Sequence, residues 1–349
     1  MSASPPNNIN AIRLALSVSV LYSHSYPLGL GNEKTEPLAV LTGGQATIGS
    51  VAVAAFFAMS GYLIAGSWGR SSSWRSFAVR RVLRIYPAYL VAGLVCYLAF
   101  SMEPSALGAW GLLLLRNVPR SADFAGNPTP LVVNGSLWTI PYEAWSYAGI
   151  AIMGAAGLLG RRRVLVGLLV ASIVAGVLFE AYEINTNLKG LGSIVGWPRF
   201  WARLLPSIFA GALFHAMPGR FRWHPLLGLA AACGLAIGAR VPLGMTVALP
   251  TCGVYLLFAA AFGPSWNWGE RVTRYGDFSY GIYLYAFPIQ QAVMRTIGHP
   301  TSATELFALS LLPAFAAGIA SWLLVERRFL AAKRPLPGGV ALSRGPSPA

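Results

Sequence analysis

Apolar residues fall in ten runs along the chain, near 9–27, 46–67, 86–101, 136–158, 164–182, 199–216, 225–239, 242–262, 278–297 and 304–325. Each run approaches the ~20 residues that a helix needs to cross a bilayer core. Short polar loops rich in Gly, Pro and Arg separate them. The pattern therefore predicts an all-α polytopic bundle of about ten transmembrane helices. Two stretches depart from it. Residues 106–116 (ALGAWGLLLLR) are too short to cross and are expected to lie as a helix dipping into the outer face, feeding an outer loop over 117–135. Residues 335–349, rich in Pro, Gly and Ser, are expected to form a disordered tail behind a membrane-embedded domain of residues 1–334. No internal repeat of the kind found in many secondary transporters is visible.

Composition sharpens the class. The 349 residues are 55% hydrophobic and 11% charged, whereas soluble domains are about a quarter charged. No sizeable soluble domain is expected beside the spans. The first apolar run has neither the basic start nor the A-x-A-like exit of a cleavable signal. A net charge of +15 sits unevenly: one set of loops collects Arg70, Arg75, Arg80, Arg81 and Arg84, then Arg161, Arg162 and Arg163, while the opposite loops hold few cations. The positive-inside rule puts the arginine-rich loops, and with them both termini, in the cytoplasm. An anionic ligand is the other use for such charge. Cys96, Cys233 and Cys252 stand singly in apolar runs, as small core residues, and predict neither a disulfide nor a metal site.

The polar residues inside the runs are the candidate chemistry. Arg13 and His24 lie eleven residues apart on the first helix, which puts them on one face about 16 Å apart along the axis. A mid-span arginine costs about 2.5–3.5 kcal/mol on insertion scales and usually faces a cavity or a partner. Snorkelling of Arg13 and an interfacial setting for His24 are the plain alternatives. In the second run, Ala54, Ala55, Ala58, Ser60 and Gly61 would let a neighbouring helix approach closely. Arg80, Arg81 and Arg84 are expected to crowd one side of a short helix ended by Pro87, where guanidinium forks suit phosphates or lipid headgroups. The fourth run opens GSLWTIPYEAWSY. Ser136 is expected to cap it, Trp138 and Tyr142 suit the membrane interface, and Glu143 is a carboxylate inside a span. Glu143 is expected at the depth of His24, or else paired with Arg116 or Arg203. His215, His224, His299, Glu180 and Glu183 read as solvated, and Glu326 as paired with Arg327 or Arg328. No metal-ligand spacing, Gly-rich phosphate loop or G-x-S-x-G elbow is present.

Together these segments resemble the membrane-bound acyltransferase-3 family of bacterial O-acyltransferases. The likeness is carried by Arg13-x10-His24, FFAMSGYLI at 56–64, RRVLRIYPAY at 80–89, SLWTIPYEAWSY at 136–147, FSYGIYLYAFPI at 278–289 and SWLLVERR at 321–328. It implies an acyl-coenzyme A donor, most often acetyl-CoA, entering from the cytoplasm. Arg13, Arg81 and Arg84 match family arginines that would meet the coenzyme phosphates, with Arg80 beside them. His24 matches the histidine regarded as catalytic, and Glu143 the acidic residue of the SLW segment. Where members often read YLxHxP, this chain has Ala286 in YLYAFP, which concentrates the base role on His24. The family's frequent SGNH hydrolase-like domain is missing.

The expected activity is therefore O-acyl transfer to a glycan or glycolipid at a bacterial cytoplasmic membrane, with lipids but no nucleic acid as partners and no metal. Ser136, Trp138 and Tyr142 are the expected acceptor-side contacts. His24 would act as general base or as a transient acyl carrier, with Glu143 orienting the ring. The rival is an ion- or proton-coupled transporter using Arg13, His24 and Glu143 as a relay.

Overall fold

The computed structural model describes residues 8–101, 111, 115, 120–184, 195–217, 224–263, 274–298 and 301–331. Expectations for the dipping helix at 106–116, for Arg116 and His299, and for the tail at 335–349 fall essentially outside the described residues. Each apolar run carries a helix: α1 Ile9–Leu30, α2 Ile48–Gly69, α3 Trp74–Ala99, α4 Ile140–Ala155, α5 Arg162–Ala181, α6 Pro198–Ala216, α7 Pro225–Gly238, α8 Gly244–Phe262, α9 Ser279–Ile297 and α10 Ala303–Ala331. Among the described residues no strand forms, only a bridge between Arg120 and Val132. Five helices, α2, α3, α5, α8 and α10, are long and apolar enough to cross a membrane. The chain is a helical membrane protein.

The termini of the helices follow from local chemistry. α1 stops where Gly31 adopts a left-handed φ of 76° and its N–H donates to the Pro27 carbonyl. α2 starts in a capping box: Thr47 Oγ1 accepts from the Ser50 N–H, and Ser50 Oγ accepts from the Thr47 N–H. The buried Glu36 carboxylate fastens the outer loop to this start, accepting from the N–H groups of Ala39 at 2.8 Å and Ile48 at 2.7 Å.

Two boundary expectations are corrected. Pro87 does not break the chain, because α3 runs through it from Trp74 to Ala99. Membrane helices tolerate interior prolines where neighbours re-satisfy the freed carbonyl. The arginine segment and the third span are thus one rod. Ser136 does not cap the fourth span either. That helix starts after Thr139 without a side-chain cap, and Asn134 caps the short 3-10 turn before it, Gly135–Thr139, its Oδ1 accepting from the Ser136 N–H.

α2 is the axis of the bundle, packed on α1, α4 and α6. Gly61 of α2 faces the Ile208 carbonyl of α6, and Gly211 of α6 faces the Ala58 carbonyl; a Cβ at either glycine would overlap the oxygen. The small residues of the second run thus do what their pattern predicts, bringing two backbones together. The main core gathers Phe57, Ile64, Tyr89, Ile140, Tyr147 and Ile208 from α2, α3, α4 and α6. Leu98, Ile152, Leu229 and Leu312 stay exposed on the outside, as lipid-facing positions do. Cys96 is buried, but Cys233 is exposed and Cys252 half-buried, so only the first is a core residue. A wide π turn at Trp322–Glu326 in α10 ends with Glu326 buried against the bundle.

Candidate active site

Four arginines, Arg13, Arg70, Arg81 and Arg84, line one cavity of about 320 Å³. α1 supplies the first, the end of α2 the second and α3 the other two. Such a density of guanidinium groups in a membrane protein needs compensation. Asp277, in the segment leading into α9, provides it: its Oδ2 accepts from Arg13 Nη1 and Arg84 Nη2, both at 2.7 Å. Its Oδ1 accepts from the Ser279 hydroxyl and, at 3.3 Å, from the Ser279 N–H. Burial alone would raise the Asp277 pKa, but the two guanidiniums outweigh it and hold the carboxyl well below the usual range. Glu326 adds a second anion, 3.9 Å from Arg84 Nη1, while accepting from Ser321 Oγ at 3.0 Å. The expectation that Glu326 pairs with Arg327 or Arg328 is corrected on this point.

Arg81 differs from its neighbours. It donates to Ser67 Oγ at 3.1 Å and lies 5.5 Å over the Tyr147 ring and 5.8 Å over Phe77. Among the described residues it forms no ion pair, so it is the buried-side guanidinium open to an external anion. Arg80 leaves the group altogether. One residue along the helix turns it about 100° away; it donates to Ser71 Oγ and does not line the cavity. The three arginines therefore do not crowd one side of the helix.

Glu143 lies in the same cavity, where its Oε1 accepts from the Tyr147 hydroxyl at 2.6 Å. This pair is one turn of α4, i to i+4. Glu143 does not pair with Arg203, which lines a different cavity. α2 contributes the apolar wall through Phe56, Met59 and Leu63. Thr139 and Tyr283 line it too. The Tyr283 hydroxyl donates to the Ser136 carbonyl at 2.8 Å and meets Thr139 Oγ1 at 2.6 Å, with the Tyr283 ring 6.2 Å from Phe56.

His24 lies outside this cavity. Its ring sits edge-on to Phe287, with centroids 5.3 Å apart, and Phe287 is one turn beyond Tyr283 on α9. Its Nδ1 is buried without a hydrogen-bond partner. Beside it, Ser25 Oγ accepts from Gln290 Nε2 at 2.7 Å. The expected pairing of Glu143 with His24 is not formed, because Tyr147 holds Glu143 on the inner side. Tyr283 lines the arginine cavity, and Phe287, one turn along α9, contacts His24.

The acceptor-side candidates gather around the 3-10 turn. Ser136 is fully buried and its Oγ has no partner. Trp138 packs 4.8 Å from Phe200 and 5.8 Å from Tyr142, whose hydroxyl accepts from the Trp197 N–H at 2.8 Å. Gly135 abuts the Phe287 ring. Ala286 is buried with Leu21 and Ala314, an apolar contact where the resemblance would place a histidine.

Asp277 and Gln290 escape a reading of the sequence alone. Asp277 is one of eleven acidic residues and directly precedes the FSYGIYLYAFPI run. A carboxylate in a connecting segment reads as solvated until folding brings two guanidiniums to it.

Comparison with protein families matches residues 7–327 to a family described as an acyltransferase domain. The chain is similar to an O-acetyl transferase of Shigella phage Sf6, 29% identical over 355 residues that cover 94% of this chain and 97% of that protein. It is also similar to Nodulation protein 10 of Rhizobium leguminosarum bv. viciae, at 25% over 349 residues, covering 88% and 92% of the two chains. A third relative is the exopolysaccharide production protein ExoZ of Rhizobium meliloti (strain 1021), at 29% over 311 residues, covering 83% and 92%. No solved structure matches the chain.

Proposed function

The chain belongs to the acyltransferase family whose model spans residues 7–327, and from that premise we propose that it moves an acetyl group from cytoplasmic acetyl-CoA to a hydroxyl of a cell-surface or exopolysaccharide glycan. It would do so in a bacterial cytoplasmic membrane. The observation that carries the donor assignment is the arginine cavity. Arg81 has no carboxylate partner, and Arg13 and Arg84 are held in place by Asp277 with further N–H groups to spare. A coenzyme A head is polyanionic, and guanidinium forks bind phosphate bidentately. The apolar wall of Phe56, Met59 and Leu63 suits the uncharged arm that ends in the thioester.

His24 is the group for the chemical step. The acceptor hydroxyl oxygen attacks the thioester carbonyl carbon while the imidazole takes its proton; expulsion of the thiolate breaks the C–S bond, and the thiolate receives that proton. The same residue could instead carry the acyl group transiently and pass it to the alcohol. Either route requires the thioester held in the arginine cavity to reach His24, past Tyr283 and Phe287 of α9. The transport reading has less support, since Arg13 pairs with Asp277, Glu143 accepts from Tyr147, and His24 Nδ1 has no hydrogen-bond partner.

The test uses full-length protein purified in detergent with acetyl-CoA and glycan extracted from the host. Wild type is expected to release free CoA and to label the glycan with acetyl ester. His24→Ala is expected to lose at least about a hundredfold in kcat, the usual contribution of a general base. Full acetyl transfer by His24→Ala would rule out the base and carrier roles together.

A further inference from the structure

A second cavity of about 130 Å³ opens between α2, α5, α6 and α8. Its lining differs from the arginine cavity in kind: Ser50 of α2, Trp138 of the 3-10 turn, Glu180 of α5, Arg203 and Ser207 of α6, and Thr246 of α8. In the orientation that the loop charges predict, Ser50, Glu180, Arg203 and Thr246 all sit near the outer ends of their helices. The cavity therefore faces away from the cytoplasm.

Its polar groups are only partly used. Glu180 is exposed and accepts a single long contact from Thr246 Oγ1 at 3.5 Å. Arg203 is exposed and forms no ion pair among the described residues. A donor fork and an acceptor carboxylate beside one indole is the arrangement that recognises a pyranose: adjacent hydroxyls both donate and accept, and the C–H face lies on the aromatic ring. An anionic lipid headgroup would satisfy Arg203 but meet repulsion from Glu180. The volume is well below the ~300 Å³ at which sites for drug-sized ligands begin, so it suits one sugar ring rather than an oligosaccharide.

The location matters as much as the lining. Val53 borders both cavities, and the consecutive residues Trp138 and Thr139 belong one to each. At the start of the same 3-10 turn, Gly135 packs on the Phe287 ring that contacts His24. One five-residue turn thus touches the arginine cavity, the outer cavity and the aromatic support of His24.

We propose that this outer cavity is the subsite for the sugar unit of the acceptor, with Trp138 as the stacking platform and Arg203 and Glu180 as its hydroxyl-reading pair. This inference rests on the acyltransferase reading above and adds the residues that select the acceptor. Gln45 has a supporting part. Its Nε2 donates to the Thr42 carbonyl at 3.1 Å and its Oε1 accepts from the Met245 N–H at 3.3 Å, fastening the start of α8 to the loop before α2.

The test is saturation-transfer NMR of a panel of methyl pyranosides with the full-length protein in detergent. Wild type is expected to bind at least one glycoside. Trp138→Ala, Arg203→Ala and Glu180→Gln are each expected to weaken that binding about tenfold, the loss of one charge-assisted or stacking contact. Melting temperatures check that the variants are folded; Arg203 and Glu180 are exposed and contribute little to the core. Binding equal in wild type and all three variants overturns the proposal, as does the absence of any glycoside binding by wild type. Release of a co-purified phospholipid in place of glycoside saturation would assign the cavity to lipid and also overturn it. The acyltransferase reading fails separately, by a wild type that releases no CoA from acetyl-CoA.

Discussion

The arginine cavity and the surroundings of His24 differ in kind: the first is built on ion pairs, the second on aromatic and apolar contacts. Inside, Asp277 bonds Arg13 and Arg84 on one oxygen and Ser279 on the other, Glu143 bonds Tyr147, and Glu326 bonds Ser321. Around His24, the ring Nδ1 and the nearby Ser136 Oγ are buried without a hydrogen-bond partner, and in the arginine cluster Arg81 Nε and Glu326 Oε2 are too. Native proteins leave few such atoms, and each calls for an explanation. On the proposed reading the first region binds the donor and the second does the chemistry, with Tyr283 lining the cavity and Phe287, one turn along α9, against His24.

Three substitutions would break or sharpen this division. The largest effect is expected for Asp277→Asn, which leaves two guanidiniums without their shared carboxylate. Breaking a buried ion pair costs about 3–5 kcal/mol, so thermal unfolding in detergent should shift strongly downward. Because the folded carboxyl titrates below its unfolded value, its contribution is present above about pH 4 and is lost as the pH falls further. The variant should lack that acid-dependent loss. An unaltered melting temperature would mean that the inner cavity is not held together by this residue.

A smaller effect is expected for Glu143→Gln. With Glu143 on the inner side, the change should alter the KM for acetyl-CoA by about three- to tenfold, the range of one hydrogen bond, and leave the pH profile of kcat in place. A displaced acidic limb in kcat would couple Glu143 to His24 and erase the boundary between the layers. The smallest effect is expected for Arg80→Ala. Arg80 is half-buried and donates to Ser71 outside the cavity, so donor KM should stay within about twofold of wild type, in contrast to Arg81. A tenfold rise would return Arg80 to the phosphate site.

The fold was legible in the sequence because bilayer length and apolar runs constrain a helical membrane protein so strongly. Ala58 and Gly61 announced the close approach of α2 and α6 for the same reason. What stayed hidden depends on tertiary placement. Pro87 looked like a break, since sequence does not show which neighbours let a helix continue through a proline. Arg80 and Arg81 are adjacent, and the 100° step between them on the helix sends them to different surroundings, which only the packing around α3 reveals. Nothing in the sequence singled out Asp277, and Glu326 read as the partner of its neighbours; a wide turn in α10 and the entry to α9 bring both to Arg84. The sequence placed His24 and Glu143 at one depth, and it did not show that Glu143 accepts from Tyr147 while His24 packs on Phe287, because those contacts depend on the fold.

The division of labour is tested most directly by equilibrium binding of radiolabelled acetyl-CoA to purified wild type, Arg81→Ala and His24→Ala. Arg81→Ala should raise Kd about tenfold or more, as loss of a charge-assisted contact to phosphate does. His24→Ala should bind as wild type does while failing to transfer the acetyl group. Donor binding lost in His24→Ala and intact in Arg81→Ala would contradict the account.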